Sequence, residues 1–231
     1  MNQHLDTTFG HANTGTAVRN RVLRNTYWLL ALSMIPTVLG AWLGVQLHFS
    51  LLAGSSPVIG FVLFLAIAFG FFYAIEKTKN SGLGVAVLLG FTFFMGLMLS
   101  RLIEFTLGFS NGAGLIMTAF GGTAIIFGGM ATIATVSKKD FSGLGKWLFA
   151  GVLVILVASL ANIFLHLPAL QLAISVVAIA IFSAYILFDV QQVVNGGETN
   201  YISATLAIYL DVYNVFVNLL SILGILGGNR D

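Results

Sequence analysis

The chain has 231 residues, of which 58% are apolar and only 8% charged, where a soluble domain carries about 25% charged residues. That balance excludes a soluble globular domain and gives no reason to expect a nucleic-acid partner. With no cysteine present, disulfides, cysteine nucleophiles and thiolate metal sites are excluded as well.

Residues 1–20 are polar, rich in Thr, Asn and Gly, and lack periodicity, so they are predicted to form a disordered cytoplasmic tail. Residues 21–231 then make one membrane domain. The first apolar run is long enough to span and has no small-residue cleavage site after it, so it is a membrane span and no signal peptide. Span one covers 25–46, with Tyr27 and Trp28 at its entry as interfacial anchors and Pro36 inside it as a candidate kink. Span two covers 57–75 and stops at Glu76, Lys77 and Lys79. Span three covers 82–100, closed by Arg101 and Glu104 as a candidate i,i+3 pair. Span four covers 113–136, and its Ala124, Gly128 and Thr132 form a small-residue ladder that predicts close approach of another helix. Span five covers 144–165, span six 169–194 and span seven 201–226, with Thr199 or Asn200 able to cap the last.

Lys and Arg divide unevenly between the two ends of these spans. Three lie before span one, two after span two and three around the junction of spans four and five, against Arg101 and Arg230 on the other side. The eight-to-two excess predicts a cytoplasmic N-terminus and, with seven spans, a C-terminus outside; the competing reading is a re-entrant span seven that returns the C-terminus to the cytoplasm, against which residues 219–226 are uncharged and long enough to finish the crossing.

The residues that stand out are two acids inside spans, Asp189 in span six and Asp211 in span seven. Ionisable groups there are costly and mark functional sites by default. A short polar link joins the two spans, so they are antiparallel neighbours. Asp189 sits about 8 Å from its end of span six and Asp211 about 15 Å into span seven, at a rise of about 1.5 Å per residue. Tyr185 precedes Asp189 by one turn. Asn214, Asn218 and Ser221 continue the Asp211 face, and such a stripe does not belong against lipid. Two close carboxyls in a poorly hydrated place titrate as a coupled pair. Ionised, they form a hard oxygen site suited to calcium; sharing a proton, they clamp the helices together. Tyr185, Asp189, Asp211, Asn214, Asn218 and Ser221 are the candidate gate and pore-lining residues. The competing reading is two independent acids, each satisfied by backbone or water, and the shallower Asp189 fits that reading more readily.

Weaker candidates are Asn162 as a helix–helix hydrogen bond, His166 as a surface residue at a turn, and His4 and His11 in the tail. No HExxH, GxSxG, phosphate-loop or dinucleotide fingerprint is present, so no enzyme activity and no bound cofactor are expected. An intramembrane aspartyl protease would carry YD and GxGD, whereas Asp189 follows Phe188 and Asp211 follows Leu210.

The stretches VLRNTYWLLALS (22–33), FGGTA (120–124), KKDFSGLGKWLFAG (138–151), ANIFLHLPALQLAIS (161–175) and GGETNYISATLAIYLDVYNVFVNLLSILG (196–224) resemble the Bax inhibitor family, most nearly its bacterial YccA-like branch. The resemblance covers the chain from residue 21 onward. It implies an all-α bundle of seven transmembrane helices, the last one central and enclosed by the other six. It also implies a pH-sensitive calcium leak of the bacterial inner membrane, with the aspartate pair falling at Asp189 and Asp211. The family picture has a second-helix arginine that pairs with the span-six aspartate when closed; no arginine occurs between residues 57 and 75 here, so the closing contact differs. The branch further resembles a partner and modulator of the membrane-bound ATP-dependent protease FtsH, a role that needs no transport activity.

Overall fold

The computed structural model describes residues 3–49 and 57–228. Seven helices follow one another: α1 (Gln3–Gln46), α2 (Pro57–Thr78), α3 (Gly82–Leu107), α4 (Gly112–Val136), α5 (Leu144–Leu165), α6 (Pro168–Asn195) and α7 (Tyr201–Gly227). Each contains a stretch long and apolar enough to cross a membrane. This is the all-α seven-span bundle that the hydropathy pattern predicts, because in lipid a helix satisfies its own backbone hydrogen bonds. The helix α1 is continuous from Gln3, whereas composition alone predicts disorder over 1–20. Elongating an existing helix is far easier than nucleating one, so the apolar span carries its helix outward. Pro36 lies inside α1, which continues through it.

Local chemistry sets the helix ends. Pro168 opens α6, where its missing N–H is no loss. Gly196 ends α6 at φ 79°, in the left-handed region that glycine enters without strain. Asn200 caps α7, its side chain accepting from Ile202 N at 2.9 Å and Ser203 N at 3.2 Å. Asn162 bridges α5 and α6 as expected, donating to Gln171 Oε1 at 3.4 Å, while its Oδ1 accepts from Leu167 N at 3.0 Å. His166 is exposed at that turn.

Polar contacts show that the spans alternate in direction. On one face, Asn200 Nδ2 donates to Lys79 O at 3.0 Å, Gln191 Nε2 donates to Lys139 O at 2.7 Å, and Arg19 lies against the turn at Gly196. On the other, His48 Nδ1 meets Glu104 Oε1 at 2.6 Å and Asn111 Nδ2 donates to Gly227 O at 2.6 Å. The membrane part of α1 therefore begins on the first face and α7 ends on the second. The first face gathers Arg19, Arg21, Arg24, Lys77, Lys79, Lys138, Lys139 and Lys146, which make it the basic face. Arg230, counted for the opposite face, lies outside the described residues. The Arg101–Glu104 pair expected from spacing does not form among the described residues; Glu104 engages His48 instead.

α7 packs against α1, α2, α3, α4 and α6, and α5 packs on α6. The closest approach is between α1 and α3. A Cβ on Gly40 would overlap the backbone of Phe93 and Leu97, and one on Gly96 would overlap that of Thr37 and Ala41. The ladder on α4 does something else: nothing lies within 4 Å of a Cβ built on Gly128. The expected helix contact there is replaced by open space, because α4 turns its other flank to α6 and α7. The core between these helices holds Leu88, Phe91, Ile186, Val190, Ile208 and Val215, all fully buried. Phe64, Phe71, Phe72, Phe91 and Phe94 stack between α2 and α3. Hydroxyls add directional ties: Tyr209 Oη and Thr37 Oγ1 lie 2.9 Å apart, and Tyr213 Oη donates to Met95 O at 3.1 Å.

Candidate functional site

α6 and α7 bring the two intramembrane acids together. The carboxyl groups of Asp189 and Asp211 meet at side-chain hydrogen-bonding range across the α6–α7 interface. Asp211 is buried, and its Oδ2 has no hydrogen-bond donor. Asp189 is half-buried and lines a cavity of about 310 Å³, together with Phe188, Gln192, Gly197, Glu198 and Ser203. These residues place the cavity at the basic-face end of α6 and α7, so Asp189 stands between it and Asp211.

Neighbouring groups shape the electrostatics. Glu198 is close enough to act on Asp189, adding a third carboxyl group near the cavity. Its own Oε1 accepts from Asn200 N at 2.7 Å, which holds it at the start of α7. Tyr185 lies within electrostatic reach of both acids and sets its ring edge-on to Phe188, with centroids 6.4 Å apart. Asn214 and Asn218 spend one amide hydrogen each on their own helix, donating to Leu210 O and Asn214 O at 2.8 Å. With Ser221 they are half-buried beyond Asp211 and do not line the cavity. Among the described residues no group of three His, Cys, Asp or Glu side chains is arranged to hold a metal ion.

Sequence reasoning missed Gln191. This buried side chain accepts from Phe141 N at 2.6 Å and donates to Lys139 O at 2.7 Å, fastening the α4–α5 junction to α6 two residues from Asp189. Its partners lie about fifty positions away in the chain, so no local pattern could reveal it.

A polytopic helical bundle with a carboxyl pair at the end of a cavity defines the class: a membrane protein with a built-in acidic site. Residues 19–228 match the family described as Inhibitor of apoptosis-promoting Bax1. The chain belongs to the Bax inhibitor family. It is 40% identical to the Escherichia coli K12 protein named Modulator of FtsH protease YccA, over 93% of this chain and 94% of that one. The Inner membrane protein YccA of Escherichia coli O6:H1 matches to the same extent. A Vibrio cholerae membrane protein is 39% identical over 93% of both chains.

Proposed function

We propose that the protein is a pH-sensitive calcium leak of the bacterial inner membrane, gated by Asp189 and Asp211. The observation that carries this reading is the meeting of the two carboxyls across α6 and α7, with the unsatisfied Asp211 Oδ2 behind a cavity reached from the basic face. One shared proton lets one acid donate to the other and ties the helices together. Loss of that proton leaves two like charges at close range, which repel each other and attract a divalent cation. Cavity lining that stops at Asp189, short of Asn214, Asn218 and Ser221, fits a closed form. The chain has no second-helix arginine, so the acid–acid contact itself serves as the latch. The eight-to-two charge split supports a cytoplasmic basic face, and the name of an Escherichia coli relative supports the inner membrane.

A second reading follows from the relative named as a modulator of FtsH protease. α1 begins at Gln3, ahead of the apolar span predicted from residue 25, and this extension is a handle for a protease on the basic face. One pair of variants separates the two. Asp211→Asn in calcium-dye-loaded liposomes lowers flux if the leak reading holds; flux equal to wild type, or none above empty liposomes, refutes it. Deleting residues 1–20 leaves flux intact but lowers co-purification with FtsH if the modulator reading holds. Unchanged association and lifetime would refute that reading.

A further inference from the structure

A second and larger cavity, about 610 Å³, lies on the far flank of α7 from the acids. Its α1 wall is Tyr27, Ala31, Met34 and Val38, one helical stripe; its α4 wall runs from Phe120 through Ala124, Phe127, Gly128 and Ala131 to Thr135. Tyr209, Val212, Tyr213 and Phe216 of α7 form the floor. α1 and α4 are not among the extensively packed helix pairs; Tyr27 and Phe127 meet edge-on across the gap, ring centroids 6.0 Å apart. Val38 and Phe120 are 64% and 62% exposed. Both walls belong to membrane spans, so the cleft opens sideways into the bilayer.

We infer that this cleft holds one acyl chain of an anionic phospholipid from the basic-face leaflet. Three observations fix that occupant. The first is chemistry: apart from that of Tyr27 at its basic end, the hydroxyls along the cleft are bonded within the protein. Thr123, Thr132 and Thr135 donate to Ala119 O, Gly128 O and Ala131 O at 2.8, 2.7 and 3.0 Å, and Thr37 and Tyr209 are paired with each other. Little polar capacity remains for a peptide or a polar solute, while hydrocarbon fits.

The second is size. The α1 wall spans eleven residue steps and the α4 wall fifteen, about 16 Å and about 22 Å at a rise of about 1.5 Å. One leaflet of hydrocarbon is about 15 Å deep, half of a core about 30 Å thick. The volume lies within the range of about 300 to 1,000 Å³ usual for ligand sites.

The third is charge. Arg24 stands one turn beyond Tyr27 on the α1 stripe, and Lys138 and Lys139 follow Ser137, the C-cap of α4; all three are exposed. They gather at the basic end of the cleft, where the phosphate of a lipid with its tail inside would sit. The nearby acid, Asp140, is turned to its own loop: Ser142 N donates to its Oδ1 at 2.8 Å, which holds the carboxyl below its usual range.

The test is photolabelling in vesicles of phosphatidylcholine doped with phosphatidylglycerol that carries a diazirine on its acyl chain. Adducts should concentrate on Met34, Phe127 and Ala131, several-fold above the outward face of α5 at Val154 and Val157. Gly128→Phe projects a ring into the open space and should cut cleft adducts several-fold while leaving α5 adducts unchanged. A phosphatidylcholine probe should label the cleft less. Each of Arg24→Gln, Lys138→Gln and Lys139→Gln should lower phosphatidylglycerol labelling by about fivefold, the equivalent of about 1 kcal/mol per charge near the surface. The charge variants lie outside the membrane and keep the test decisive if the Gly128 variant does not fold. Equal labelling of cleft and α5, indifference to Gly128→Phe, or crosslinks between two copies through the cleft would overturn the inference. Equal labelling by the two lipid probes would overturn its anionic headgroup.

Discussion

Gln191 offers the most local test of how the acidic site is held in place. Gln191→Leu keeps most of the side-chain volume but removes both bonds to the α4–α5 junction, the acceptor for Phe141 N and the donor to Lys139 O. Each bond contributes about 1 kcal/mol net, and a buried group left unpaired costs about 1–3 kcal/mol. The expected local loss is thus about 2–4 kcal/mol, or roughly 30- to 1,000-fold in the opening equilibrium of the junction. Hydrogen–deuterium exchange at the Phe141 amide reads that opening directly. Gln191→Glu separates the two bonds: a carboxylate still accepts from Phe141 N but has no hydrogen for Lys139 O. Phe141 should therefore stay protected in Gln191→Glu and lose protection in Gln191→Leu. Equal protection of Phe141 in wild type and Gln191→Leu would refute the role assigned to this side chain.

Two further outcomes follow from the packing. Thr37→Val and Tyr209→Phe should show a coupling of about 0.6 to 2 kcal/mol in a double-mutant cycle, the range for hydrogen bonds between membrane helices; unfolding in mixed micelles measures it, and additive effects would contradict the bond at 2.9 Å. Gly96→Leu should separate α1 from α3 and lower the midpoint of thermal unfolding sharply, because even its Cβ meets Thr37 O. Gly129→Ala, where a Cβ meets nothing within 4 Å, should leave the midpoint almost unchanged.

The spans were legible because a lipid-crossing helix needs a long uncharged run, and that signal is strong in one dimension. The limits of α4 to α7 fall within one residue of the expected ones, since Pro168, Gly196 and Asn200 carry their own backbone chemistry. The acid pair was legible for a related reason: a carboxylate in a span has few tolerable surroundings, and a short link makes neighbours of α6 and α7. Side-chain partners across the bundle were not. Glu104 had Arg101 one turn away, yet took His48, fifty-six positions distant. The small residues of α4 suggested a helix contact and border a cleft, while the closest contact uses Gly40 and Gly96. Gly40 and Gly44 form a GxxxG in α1, so a signal for that contact was present. Spacing alone cannot say which of two small-residue faces meets a helix and which meets lipid.

The central claim, that Asp189 and Asp211 act as one gate, is tested most directly by calcium flux into proteoliposomes across a pH series. Wild type, Asp189→Asn, Asp211→Asn and the double variant are compared. Wild-type flux should fall as the pH is lowered, because protonation removes the charge that attracts the cation and restores the acid–acid latch. Asp211→Asn should lower flux and flatten that response, and the double variant should lose it with effects that are far from additive. Four overlapping curves, or single effects that simply add, would contradict a shared gate.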